Sequence, residues 1–280
     1  MAGSTNITAR TVETVLHQLT PRVLAVKSNE RLTPRMARIT LTGEDLAGFI
    51  TKSPTDHIKL FFPEPDAEHP VMPTLGERGM VPPPPDGPQP TFRDYTVRAF
   101  RPEANALVVD FVLHGDGPAV VWATNAAPGR LVGVLGPRGS HVVPADFDWY
   151  LLAGDETALP AIGRWLEELP AGKRAMAIVE VADRSEEQQI ESAGTVTITW
   201  LHRNGQPAGT TQLLEQAIRA LDLPDGDGFI WAAGEADTLK PIRRYLRREL
   251  KLDPNAVDID GYWRRGTVNL DHHAPLDDDE

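Results

Sequence analysis

Six consecutive residues, Arg93-Asp94-Tyr95-Thr96-Val97-Arg98, gather two guanidinium groups, a phenol and a hydroxyl. In an extended chain alternate side chains share a face. Arg93, Tyr95 and Val97 then point one way, with Thr96 and Arg98 on the other side unless the strand bends. Such a strand offers cations to phosphate, an aromatic face to a planar ring and a hydroxyl to a ring nitrogen. An amphipathic edge strand with a cross-strand aromatic satisfies the same six residues. A second group follows closely: His114, Gly115, Gly117-Pro118-Ala119 and Trp122. A Gly-Pro-Ala entry into a short helix leaves backbone N–H groups facing whatever lies before it, an arrangement suited to anions. A third group, Gly136-Pro137-Arg138-Gly139, holds a cation in a turn that glycine permits.

The absences narrow the chemistry further. A chain of 280 residues with no Cys excludes disulfide scaffolds, thiol catalysis, Cys-ligated zinc and iron–sulfur clusters. The eight His show neither HxxxH nor HExxH spacing, and His272-His273 sits in a polar, acidic stretch, so no metal site is expected. A formal charge of -12, from 28 Lys plus Arg against 40 Asp plus Glu, argues against a nucleic-acid partner, whose phosphates need excess basic surface. The start lacks the apolar core of a leader peptide, and no run approaches the roughly 20 apolar residues that span a bilayer. No membrane association and a cytoplasmic location are the expectation.

These groups need elements to hold them. RVLAVKSNE, ARITLTGE and DHIKLFFP read as short strands, as do FRDYTVRAF, ALVVDFVLH and LVGVLGPRG. With one brief helix at GPAVVWATNA they predict a small antiparallel barrel. Between residues 54 and 90 lie eleven of the 25 prolines, which predicts a long surface loop of polyproline character. From about residue 148 the pattern changes to buried apolar runs (DWYLLAG, AMAIVEVAD, TVTITWLHR, GFIWAAGE) separated by amphipathic helices, which predicts a parallel sheet covered on both faces. The expected division is an N-terminal extension 1–19, a barrel domain 20–145 with the proline-rich loop at 63–91, an α/β domain 146–270 and an acidic tail 271–280.

In this framework the chain resembles the siderophore-interacting protein family, the flavin-dependent ferric-siderophore reductases of the ferredoxin-reductase superfamily. The pieces that carry the resemblance are RDYTVR, VDFVLHGDGPAVVWA, GPRGS, LLAGDETALPAI, WAAGEADTLKPIRRYLR and GYWRRG, in the family's order, between residues 58 and 266. The resemblance implies an antiparallel β-barrel that binds FAD, followed by a ferredoxin-reductase-like α/β domain for the nicotinamide nucleotide. It places Tyr95 on the isoalloxazine, Thr96 near its N5 edge, and Arg93 and Arg98 at the FAD phosphates or the ring's polar edge. His114 borders the adenine or ribose side, Gly117, Pro118 and Ala119 face the pyrophosphate, and Trp122 packs behind. Val97, Asp110 and Val112 complete that cofactor set. Val120 stands where family members commonly carry a small hydroxyl residue, so backbone amides must replace a side-chain phosphate contact.

In the second half, a strand–Gly154-Asp155-Glu156-Thr157–helix passage puts a helix start at a sheet's carboxyl edge, where dinucleotides bind. It is not a G-x-G-x-x-G sequence, and its acids either repel a pyrophosphate or cap the helix. The resemblance assigns Gly154, Asp155, Thr157, Ala158, Gly234 and Glu235 to the nicotinamide nucleotide. Arg184 and Arg203 follow strands, either to meet a 2′-phosphate or, more commonly for such residues, as surface arginines. For an anionic ferric siderophore the resemblance implies a basic trio, Lys59, Arg138 and Arg264, with Arg265 as a substitute for the last. The implied reaction runs from NAD(P)H, or a reduced ferredoxin, through FAD to the Fe(III) of a siderophore, in a monomer and without a catalytic side chain. Alternatives are a flavin reductase serving another redox protein and a ferric-siderophore-binding protein without turnover.

Overall fold

Alternation of apolar residues folds the first half of the chain into antiparallel strands, and continuous apolar runs fold the second half into parallel ones. The computed structural model describes residues 10–77, 79–81 and 83–270. The expected acidic tail, with His272 and His273, lies outside them.

The first half contains β1 (Glu13–Leu16), β2 (Pro21–Thr33), β3 (Met36–Thr42), β4 (His57–Phe62), β5 (Thr74–Gly76), β6 (Gly79–Val81), β7 (Thr91–Thr96), β8 (Ala99–Arg101) and β9 (Ala106–Val112). Helix α1 (Pro118–Thr124), β10 (Leu131–Leu135) and β11 (Gly139–Val142) follow. Seven strands form one antiparallel sheet in the order β7-β4-β10-β2-β3-β9-β8. It curls around a core that includes Leu24, Ile39, Ile58, Leu60, Phe111 and Trp122. The proline-rich stretch is more than a bare loop. Its strands β5 and β6 pair as a hairpin, and Met72 lies over Gly133 of β10, where a Cβ would have no room. Within the expected N-terminal extension, β1 pairs with β11.

The second half contains β12 (Trp149–Asp155), α2 (Leu159–Glu168), β13 (Arg174–Val181), β14 (Thr195–His202), α3 (Leu213–Arg219), β15 (Gly228–Glu235), α4 (Ala236–Arg244) and β16 (Val257–Trp263). The five strands are parallel, ordered β14-β13-β12-β15-β16. Every residue of β12 is buried, as befits a central parallel strand covered on both faces. Leu159, Ile162 and Leu166, spaced at three and four, seat α2 on one face. Leu214 and Ile218 of α3 with Leu239 and Ile242 of α4 cover the other. Pro241 removes a backbone donor inside α4, which passes into a π-helical turn over Tyr245–Glu249. The fifth strand, β16, is an addition to the four read from sequence. Asp258, Asp260 and Gly261 interrupt its apolar run, and at the sheet edge only one side needs a partner.

Helix α2 also docks onto the first sheet. Arg164 Nη1 donates to Thr51 Oγ1 at 2.8 Å and to the Val97 carbonyl at 3.0 Å. Thr33 donates to the buried Glu186 at 2.5 Å on the same seam.

Candidate functional site

Strand β7 lies at the edge of the antiparallel sheet, opposite β4, with Tyr95 facing Ile58, Asp94 facing Lys59 and Arg93 facing Leu60. The register puts Arg93 and Tyr95 on the barrel-interior face. The Tyr95 ring lies 4.3 Å from that of Phe111 and meets Phe62 edge-on at 6.4 Å. Phe62 and Phe111 in turn lie 5.5 and 5.8 Å from Trp122. Burial pushes the Tyr95 phenol well above its ordinary range. Arg93 Nη1 donates to the Phe92 carbonyl at 2.6 Å.

The turn before α1 is exposed from His114 to Pro118, Ala119 is buried beneath it, and nothing lies within 4 Å of the Cβ position at Gly115 or Gly117. The N–H groups of Ala119 and Val120 belong to the first turn and have no intrahelical partner. Behind them the Trp122 indole N–H is buried with no partner among the described residues. An aromatic cluster with part of Tyr95 open, an orphaned donor and an uncrowded glycine turn fit the FAD that the resemblance implies.

Four residues of that cofactor set stand elsewhere. Val97 is fully buried in the barrel core. Arg98 gives Nη1 and Nη2 to Glu167 of α2 at 2.7 and 2.5 Å, and its Nε lies 3.4 Å from Asp110. Its charge is thus spent between the two halves and is not offered to a phosphate. Asp110 takes a bidentate pair from Arg38 at 2.7 Å each. Val112 shares its face of β9 and packs against the α2-side core. These positions alternate with Val109 and Phe111, which enter the barrel, so Asp110 and Val112 face away from it. Thr96 is buried, with its side chain close to the phenol of Tyr262 of β16. Burial and nearby Asp260 raise the Tyr262 phenol well above its ordinary range.

A cavity of about 290 Å³ opens at the carboxyl edge of the parallel sheet, lined by Asp155, Glu180, Thr211, Gly234, Glu235 and Arg265 among others. Strand order reverses there between β12 and β15, the position where open α/β sheets bind nucleotides. At Gly154 a Cβ would strike the Ala233 carbonyl and the buried Ala158, so only glycine lets the two strands approach this closely. Gly234, at φ 148°, sits against the Asp155 carboxylate.

Asp155 holds this edge together. It accepts from Thr157 N and Oγ1 at 2.8 and 2.5 Å, from Glu235 N at 3.0 Å and from Trp263 Nε1 at 2.8 Å. Burial, with Glu156 beside it, raises its pKa to about 6. Glu235 caps α4 through Thr238 N at 2.8 Å. Arg203 is no surface arginine: it is 3% exposed and bidentate to Glu156, at 2.6 and 2.5 Å. Arg184 is exposed.

The cations assigned to the substrate are dispersed. Lys59 Nζ donates to both Asp94 oxygens at 2.8 and 3.0 Å and lies over the Phe92 ring at 5.2 Å. Arg138 is exposed beyond β10 and borders a second cavity of about 350 Å³ with Leu16, His17, Leu19, Leu75 and Glu77. Arg264 and Arg265 follow β16, with Arg264 Nε 3.6 Å from Asp237 and Arg265 N donating to Glu235 at 3.1 Å. Sequence reasoning passed over Glu180, Thr211 and Tyr262. Glu180 alone carried a signal, as the last acid of the second parallel strand.

The comparisons agree with this geometry. Residues 25–141 match the siderophore-interacting FAD-binding domain, and residues 147–266 match the siderophore-interacting protein model. The NADPH-dependent ferric-chelate reductase of Escherichia coli (strain K12) is 37% identical over 261 residues, covering 92% of this chain and 98% of the relative. The crystal structure of a siderophore utilization protein from T. fusca superposes with a TM-score of 0.87 at 46% identity, covering 95% of this chain and all of that one. At 14% identity, a ferredoxin reductase in carbazole 1,9a-dioxygenase (TM-score 0.60, 88% of this chain, 70% of that one) shares the fold alone. Two adjoining domain matches and relatives aligned nearly end to end place the chain in the siderophore-interacting protein family.

Proposed function

We propose that this chain reduces ferric siderophores, drawing electrons from NAD(P)H through FAD held on the antiparallel sheet. One observation carries the reading: the chain combines a partly open aromatic strand around Tyr95 with a nucleotide-type cavity at the carboxyl edge of a parallel sheet. FAD, when bound, accepts a hydride and releases electrons singly, which is the conversion a ferric substrate requires. The protein's part is position and field. Tyr95 and Trp122 offer an aromatic face and an indole donor, Arg93 a cation, and the Gly117–Ala119 turn backbone amides.

Ferrous iron binds oxygen-rich chelators more weakly than ferric iron, so reduction releases it without a protein ligand. Arg138, exposed and with no ion-pair partner among the described residues, attracts an anionic chelate, assisted by Lys59. The chain acts as a monomer inside the cell, where nicotinamide nucleotides are found, and a reduced ferredoxin is the other donor of suitable chemistry. The test is anaerobic. Protein titrated with FAD should show a bound-flavin spectrum, bleach with NADH or NADPH, and recolour on mixing with ferric siderophore while a ferrous indicator develops. A protein that binds no flavin sinks the reading.

A further inference from the structure

We infer that the cavity at the carboxyl edge of the parallel sheet selects NADH over NADPH, with Glu180 as the discriminating residue. The inference rests on the reading of this cavity as the donor site. Its orientation follows from the seam between the halves. Tyr262 of β16 lies close to Thr96, the residue after Tyr95 on the flavin strand. The nicotinamide end of a donor must reach the flavin and so belongs on the β15–β16 side. The adenosine half then extends across β12 toward β13, and at the carboxyl end of β13 stands Glu180.

An acid at the end of the second strand of such a sheet accepts a hydrogen bond from the ribose 2′-hydroxyl of NAD, whereas a nearby arginine accommodates the 2′-phosphate of NADP. Glu180 is held in place: it is 6% exposed and its Oε2 accepts from Thr211 Oγ1 at 2.6 Å. The guanidinium at that end is already engaged. Arg203 is bidentate to Glu156 and lies 3.6 Å from Glu180 Oε1. The ionisable wall of the cavity is Asp155, Glu180, Glu215, Glu235 and Asp237 against Arg265. Arg265 follows β16, at the nicotinamide end. A 2′-phosphate adds nearly two negative charges beside buried carboxylates that salt screens poorly. A 2′-hydroxyl adds none and donates to Glu180.

The test uses the full chain with FAD and two readouts. Calorimetric binding of NAD+ and NADP+ is the first, and KM with NADH and with NADPH is the second. NAD+ should bind about tenfold or more tightly than NADP+, with KM following the same order. Glu180→Gln keeps an acceptor for Thr211 and removes the charge. It should narrow the ratio to about threefold or less, mainly through tighter NADP+ binding. Equal affinities in the unaltered protein, or a ratio that Glu180→Gln leaves unchanged, overturn the inference and leave the donor site standing. Binding of neither dinucleotide overturns both. The comparison in the unaltered protein stands on its own where the variant folds poorly.

Discussion

Arg98 and Glu167 lock the antiparallel sheet to helix α2: two guanidinium nitrogens meet two carboxylate oxygens at 2.7 and 2.5 Å. The Arg98 plane also covers Gly163, whose Cβ position lies 3.2 Å from Nη2. The two partners are not equivalent, because the Arg98 side chain is 6% exposed and that of Glu167 is 43% exposed.

Removing Arg98 leaves buried Asp110 with Arg38 alone and opens a void over α2. Arg98→Ala should therefore cost about 3 kcal/mol. Glu167→Gln, on the solvent side, should cost about 1 kcal/mol or less. Urea unfolding followed by tryptophan fluorescence measures both. Equal losses for the two variants would show that the asymmetry in burial does not govern this pair.

Tyr95 is expected to hold the flavin by its face. Tyr95→Phe should leave FAD affinity within about threefold, whereas Tyr95→Ala should lose about ten- to a hundredfold, the scale of one aromatic stacking partner. Quenching of flavin fluorescence on titration reads the affinity. A Tyr95→Phe variant as weak as Tyr95→Ala would move the role from the ring to the hydroxyl.

Asp155 gives the fold a pH dependence of defined sign. Its pKa rises from an ordinary 3.8 to about 6 in the folded state, so the folded state holds its proton more tightly than the unfolded chain. Its contribution is most favourable at low pH, declines as pH rises between about 4 and about 6, and is flat above that. Thermal unfolding of the unaltered protein and Asp155→Asn across pH 4 to 8 isolates this slope as their difference. A difference constant across that range removes Asp155 as its source.

Gly154→Ala tests the close approach of β12 and β15. The added methyl meets a backbone carbonyl and another backbone-bound Cβ, neither of which can swing aside. A loss of about 1–3 kcal/mol is expected, together with weakened binding of the dinucleotide. Unchanged melting and binding would mean that the strand ends separate more freely than the packing implies.

Arg138 and Lys59 should differ as substrate cations. Lys59 already has Asp94 as its partner, so Lys59→Gln removes a charge that is locally matched. Arg138→Gln removes one that has no ion-pair partner among the described residues and should raise KM for an anionic ferric chelate by several-fold more. The ordering should shrink as salt is added.

Local chemistry made the elements readable. The runs WYLLAGD and GFIWAAGE announce buried parallel strands, and the 159-162-166 spacing announces α2. The site was half readable for the same reason. Tyr95, Trp122 and Gly154 sit where short-range pattern places them. The destinations of the charges were hidden. Arg98 pairs with Glu167 and Arg203 with Glu156, partners 69 and 47 positions away, and nothing in either neighbourhood distinguishes a bound arginine from a free one. Strand β16 escaped because its aspartates resemble a loop until the edge position leaves them half-buried, Asp260 accepting from the Trp231 indole N–H. The β5–β6 hairpin escaped because prolines around it outweigh three-residue strands.

The seam through Arg98, Arg164 and Glu167 constrains how the gene can be recombined. A crossover placed between residues 142 and 149, at the apparent joint between the sheets, separates the Val97-Arg98 turn from the helix that neutralises it. Chimaeras with relatives would leave the buried Arg98 guanidinium with Asp110 alone wherever the incoming helix lacks an acid at the position of Glu167, unless that turn, Thr51 and α2 travel together. The unit of exchange is a patch drawn from both halves, and not either half.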